Sequence, residues 1–128
     1  MRILEMTGLA SIASQRARAL GTPGRKRLEI ARVLATSPRL ILLDEALAGL
    51  TPTELQAAIA LVRRIHALGV TLVIVEHIME VIVSLARKVV VFHQGREISR
   101  GTPREVTADP KVIEAYLGRR KVRHAEGT

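Results

Sequence analysis

The sequence predicts an α/β fold built on a parallel pair of strands, and three observations carry that reading. Leu40-Ile41-Leu42-Leu43 is an unbroken apolar run that ends abruptly in Asp44-Glu45. Val70-Thr71-Leu72-Val73-Ile74-Val75 is a second such run, ending in Glu76-His77. Between them, Thr51-Pro52-Thr53-Glu54 has the form of a capping box with proline in the first helical turn. Strand, helix and strand joined this closely make a βαβ unit, which requires the strands to be parallel. Apolar runs without alternation suit strands buried on both faces of a sheet.

The other elements follow in order along the chain. Residues 1–19 read as helical, with Ile3, Leu4, Leu9 and Ile12 as apolar positions and a break near Gly8. Leu20-Gly21-Thr22-Pro23-Gly24 is a cluster of helix breakers. From Arg25 to Ala35 the helical pattern returns, with Leu28, Ala31 and Leu34/Ala35 on one face, and Thr36-Ser37-Pro38 stops it. In the helix after Thr51, the apolar face is Leu55, Ala58, Ile59, Val62 and Ile65, and Gly69 closes it. Ile78, Val81, Ile82 and Leu85 form another helical stripe. Lys88 to Phe92 reads as a third strand, turning at Gln94-Gly95 into a short strand around Glu97-Ile98-Ser99. A last helix runs from Asp109-Pro110 through Ile113, Tyr116 and Leu117 to Gly118.

Composition narrows the function classes. The 128 residues contain no cysteine, so thiolate metal sites, disulfides and cysteine nucleophiles are excluded. No apolar run approaches the roughly 20 residues of a membrane span, and the N-terminus lacks the pattern of a secretory signal, so a cytoplasmic protein is expected. The net charge of +8 is concentrated. Residues 16–39 hold seven basic side chains against Glu29, and the tail 119–128 carries Arg119, Arg120, Lys121 and Arg123 against Glu126. Such blocks can meet phosphate, but they also fit a solvated helix face and a basic tail. Phe92 and Tyr116 are the only aromatic residues, too few for a platform on which single-stranded nucleic acid could stack.

Ligand sites in α/β sheets lie beyond the carboxyl ends of the strands, where Asp44-Glu45 and Glu76-His77 sit. An apolar strand ending in Asp-Glu is the Walker B arrangement of phosphate-hydrolysing proteins, although it equally describes a solvated strand end. The ordered set weighs more than either pair. Arg27 to Ala35, Pro38, Leu40 to Leu43, Asp44-Glu45, Ala48-Gly49-Leu50-Thr51-Pro52 and Val75-Glu76-His77 together resemble the ATP-binding cassette ATPases. Gly101-Thr102-Pro103 and the segment Asp109 to Gly118 are similar to the ending of the ATP-binding subunits of branched-chain amino acid transporters.

The resemblance implies a fold, a set of roles and a set of partners. The fold is the C-terminal half of a P-loop ATPase domain, a partial parallel sheet flanked by helices. It spans residues 1–118: a helical and signature region over 1–38, a core over 39–100, C-terminal helices over 101–118, then the tail. Asp44 matches the Mg²⁺ residue, Glu45 the catalytic base and His77 the switch histidine at the γ-phosphate. Gly49 belongs to the D-loop, which meets the opposite subunit. Gly21, Thr22 and Gly24 occupy the signature position that caps ATP held by a partner. That signature departs from Leu-Ser-Gly-Gly-Gln: the serine hydroxyl is replaced by Gly21, and Pro23 has no backbone N–H. Losing one charged hydrogen bond costs roughly 1.5–3 kcal/mol, so a weak cap is expected. Ala46 stands where the family usually has proline.

The 128 residues contain no Gly-x-x-x-x-Gly-Lys-Ser/Thr loop, the element that cradles phosphates in this family. ATP and Mg²⁺ are therefore expected only in a completed domain, and ATP hydrolysis by this chain alone is not expected. The implied partners are another cassette ATPase half or subunit and membrane permease subunits, at the inner face of the cell membrane. An uncovered sheet edge or face should favour dimers or self-association. Two other readings stand beside this one: a non-catalytic module that docks on a transporter or cassette subunit, and a basic nucleic-acid binder. No nucleic acid is expected under the leading reading.

Overall fold

The computed structural model describes residues 2–116, which divide between Ile78 and Met79 into two compact units. The division falls inside the 39–100 stretch that the sequence treats as one core. The last-helix residues Leu117 and Gly118 and the basic tail lie outside the described residues.

The first unit opens with α1 (Arg2–Met6), shorter than the helix expected over 1–19. The Thr7 hydroxyl donates to the Ile3 carbonyl at 2.8 Å, and Gly8 adopts φ +70°, which ends the helix. Two 3₁₀ turns follow, Ala10–Ile12 and Ala17–Ala19. Helix α2 (Thr22–Leu34) starts three residues before the expected Arg25. Pro23 lies in its first turn, where a missing N–H breaks no helical bond, so the residue read as a breaker is a helix starter. The buried face of α2 is Ile30, Ala31 and Leu34; Ala31 and Leu34 belong to the predicted stripe, whereas Leu28 is half-buried and Ala35 exposed.

Strands β1 (Leu40–Asp44) and β2 (Thr71–Val75) are parallel, in the register Leu40↔Thr71 to Asp44↔Val75. Helix α3 (Pro52–Ala67) crosses between them and carries the predicted capping box. Thr51 N–H donates to Glu54 Oε2 at 2.8 Å, and the Thr51 hydroxyl accepts from Glu54 N at 3.4 Å. Gly69, at φ +89°, ends that helix in a left-handed turn. Ile30, Leu34, Ile41, Leu61 and Ile65 form the core, with Ile3, Met6, Leu43, Val70 and Leu72 packed on it.

The expectation that the strands are buried on both faces is not met. Ile41, Leu43, Leu72 and Ile74 turn inward, whereas Leu40, Leu42, Val73 and Val75 are 52, 70, 48 and 57 % exposed. Period-two alternation puts those four side chains on one sheet face, and that face is open.

The second unit contains α4 (Met79–Leu85), β3 (Val89–His93), β4 (Arg96–Gly101) and α5 (Pro103–Ala108). Strands β3 and β4 form an antiparallel hairpin about Gln94-Gly95, with an irregular register between Val91 and Phe92. Helix α5 packs on both strands and on α4. It begins with a second capping box, Thr102 and Glu105, and residues 110–116 are again helical.

Candidate functional site

Asp44 is the last residue of β1 and is exposed at its carboxyl end. Glu45 follows with φ +48°, in the left-handed region that non-glycine residues rarely adopt. Its N–H donates to the Val75 carbonyl at 2.8 Å, which fastens the start of the turn to the end of β2. The same edge therefore receives the segment after β2, and His77 Nδ1 lies 3.3 Å from Glu45 Oε1. The two side chains are 50 and 57 % exposed, so this contact is readily screened and weak by itself.

The turn from Glu45 to Gly49 is held at several points. Lys26 of α2 donates from Nζ to the Ala46 carbonyl at 2.9 Å. Glu76 Oε1 accepts from Leu47 N at 3.3 Å, and the Leu47 side chain is buried. Ala48 N–H donates to the Glu45 carbonyl at 3.2 Å. Gly49 adopts φ +77° with open space where a Cβ would stand, so conformation, not crowding, calls for glycine there.

Beside β1, a cleft of about 280 Å³ is lined by Asp44, Glu45 and Ala46, with Lys26, Glu29 and Val33 of α2 on its other wall. Gly21, Thr22 and Gly24 do not line it; they sit at the start of α2. The structure thus brings Asp44, Glu45 and His77 to one sheet edge, and the signature residues Gly21, Thr22 and Gly24 sit at the start of α2. Sequence reasoning missed Lys26 and Glu76 as supports of the turn. Glu76 stood in the motif, but nothing in its spacing says which way the carboxylate turns.

Among the described residues no group of three or more His, Asp or Glu side chains could hold a metal ion. A single carboxylate such as that of Asp44 nonetheless fits Mg²⁺, which is commonly held by one or two carboxylates with water and substrate phosphates. Asp44 is an exposed oxygen donor of that kind. No described helix is long and apolar enough to cross a membrane.

Known proteins resemble the chain over most of its length. The family model for branched-chain amino acid ATP-binding cassette transporters matches residues 96–122. The high-affinity branched-chain amino acid transport ATP-binding protein BraF of Pseudomonas aeruginosa is 42 % identical over 118 residues, covering 90 % of this chain and 46 % of BraF. The corresponding protein LivG of Escherichia coli K12 is 38 % identical over the same shares. A lipopolysaccharide export ATP-binding protein, LptB of Acidithiobacillus ferridurans, reaches 33 % over 91 % of the chain and 48 % of LptB. Among solved structures, the ADP conformation of the ATP-binding cassette MJ1267 superimposes with a TM-score of 0.83 at 31 % identity, over 91 % of this chain and 48 % of that one. The chain spans about half the length of the curated relatives it matches.

Proposed function

We propose that the chain, 42 % identical to a branched-chain amino acid transport ATP-binding protein over 46 % of that protein's length, supplies the hydrolytic edge of an ATP-binding cassette ATPase of that kind. The observation that carries this reading is the approach of His77 to Glu45, at 3.3 Å, beside Asp44 at the carboxyl edge of β1 and β2. In a domain completed with a phosphate-binding loop, Asp44 is the carboxylate for Mg²⁺, whose chemistry when bound is to neutralise phosphate charge. Glu45 orients the attacking water and takes its proton. His77, held against Glu45, offers its ring to the γ-phosphate. Gly21, Thr22 and Gly24 form a weakened cap on nucleotide bound by a second subunit, and Gly49 shapes the turn that meets it.

The proposed physiological role is ATP-driven import of branched-chain amino acids, with permease subunits as partners, on the cytoplasmic face of the membrane. A complete domain tests it. The chain is joined to an N-terminal half that carries a Walker A loop from a related subunit, and ATP turnover is measured. Glu45→Gln keeps shape and hydrogen bonding but removes the accepting charge, so turnover should fall by about 10²–10⁴-fold while ATP binding persists. Equal turnover with glutamine at that position would remove Glu45 from the chemistry.

The second reading, a docking module without turnover, draws on the open face of Leu40, Leu42, Val73 and Val75. It is preferred if the completed protein binds its partner subunits but hydrolyses nothing.

A further inference from the structure

Glu76 is the acidic group at the sheet edge that the proposed chemistry does not use. Its two oxygens have unlike surroundings. Oε1 accepts the Leu47 N–H at 3.3 Å, whereas Oε2 is buried and has no hydrogen-bond partner. A buried carboxylate oxygen left unpaired is costly and calls for an explanation. The adjacent residue, His77, reaches Glu45. Two consecutive residues after β2 therefore grip the same turn two residues apart, His77 at its first side chain and Glu76 at the Leu47 amide.

The strengths of these grips differ. His77 and Glu45 are both about half exposed, so water and salt weaken their contact. Leu47 is only 2 % exposed, and the bond from its backbone amide to Glu76 is part-buried. Loss of an acceptor there leaves a part-buried donor unpaired, which the turn relieves by moving toward water. The turn also carries Glu45 at φ +48°, so its backbone is not held by local preference.

We infer that Glu76 is a positioning residue: by holding the Leu47 amide it fixes the turn from Glu45 to Gly49 and so keeps Glu45 within reach of His77. The catalytic meaning of that placement rests on the reading of Glu45 and His77 given above, whereas the clamp itself does not.

Two conservative variants of the full chain test it by amide exchange and nuclear Overhauser measurements. Glu76→Gln keeps an acceptor at the same reach and loses the charge. Glu76→Asp keeps the charge and withdraws the acceptor by one methylene. Glu76→Gln should leave Leu47 exchange within about threefold of the parent and retain the cross-peak between the His77 ring and the Glu45 side chain. Glu76→Asp should speed Leu47 exchange by about tenfold or more and abolish the cross-peak, with exchange of Ile59 and Val62 in α3 unchanged.

Three results would overturn the inference. The aspartate variant could keep both signals, the glutamine variant could behave like aspartate, or Leu47, Ile59 and Val62 could all lose protection together. The last would mark a general support of the fold. Failure of the Glu45→Gln turnover test would instead overturn the catalytic reading and leave the clamp standing.

Discussion

The β1–β2 pair and the β3–β4 hairpin are both two-stranded, yet they treat their outward faces differently. On the parallel pair, Leu40, Leu42, Val73 and Val75 make the outward face apolar on both strands. On the hairpin, the exposed Val90 and Phe92 pair across the ladder with Arg100 and Glu97. Those two are joined by Nε–Oε1 and Nη2–Oε2 bonds of 2.9 and 2.8 Å. The hairpin's outward face alternates exposed apolar and charged side chains. The parallel pair leaves an apolar face open, and the candidate site lies at the edge of that sheet.

The largest break in this comparison should come from inside the first unit. Ile65 is 2 % exposed and belongs to the core under β1. Ile65→Ala should destabilise the chain by about 2–5 kcal/mol, read by denaturant unfolding, with exchange protection lost first across α2, β1 and α3. The open face gives the next effect, and a sharper one. Leu42→Lys should change the stability of the chain alone by no more than about 0.5 kcal/mol, since the side chain is already exposed. The same change should weaken capture of a complementing N-terminal half, in titration calorimetry, by about 1.5–3 kcal/mol. Equal capture by both forms would mean the face is left bare in the assembled protein as well.

A smaller effect is expected at the helix between the strands. Thr51→Ala removes the acceptor for Glu54 N and should cost about 1 kcal/mol by thermal or denaturant unfolding. The smallest effect distinguishes the second unit by pH. Hydrogen bonds from Ser99 and from the Lys111 amide hold the Asp109 carboxyl below its ordinary range. The Thr102 amide and hydroxyl do the same for Glu105, and the Arg100 guanidinium for Glu97. A carboxyl with a lowered folded value binds fewer protons folded than unfolded in acid. Its contribution is therefore complete above the ordinary carboxylate range and is lost as the pH falls through the lowered value. Amide protection in β4 and α5 should weaken in that acid window, and Ser99→Ala should reduce the pH dependence around Asp109.

Much of this architecture was legible in the sequence, and the exceptions share a cause. The capping box at Thr51 was readable because both of its partners are local. Thr102-Pro103-Arg104-Glu105 repeats that pattern and starts α5, a signal that was present and passed over. Thr22-Pro23 starts α2 as well, but with Gly21 as the cap and no glutamate three residues on, so it read as a break. Alternating burial within β1 could not be read, because Leu40 to Leu43 are apolar whichever face is covered. The meeting of His77 with Glu45 followed from parallel neighbouring strands, since both residues leave the same edge. The inward turn of Glu76 depends on where the Leu47 amide lies in space, which no spacing along the chain records.

The left-handed backbone of Glu45 would also tie the proposed chemistry to the stability of the chain. A left-handed backbone costs a residue with a Cβ roughly 1–2 kcal/mol, and glycine would escape that penalty. Under the role proposed for Glu45, the position would set fitness for folding against fitness for hydrolysis. Glycine would suit the turn but could not address a water molecule, whereas glutamate can address it and strains the turn. Selection for thermal stability alone would push this position away from glutamate, and selection for turnover would hold it there.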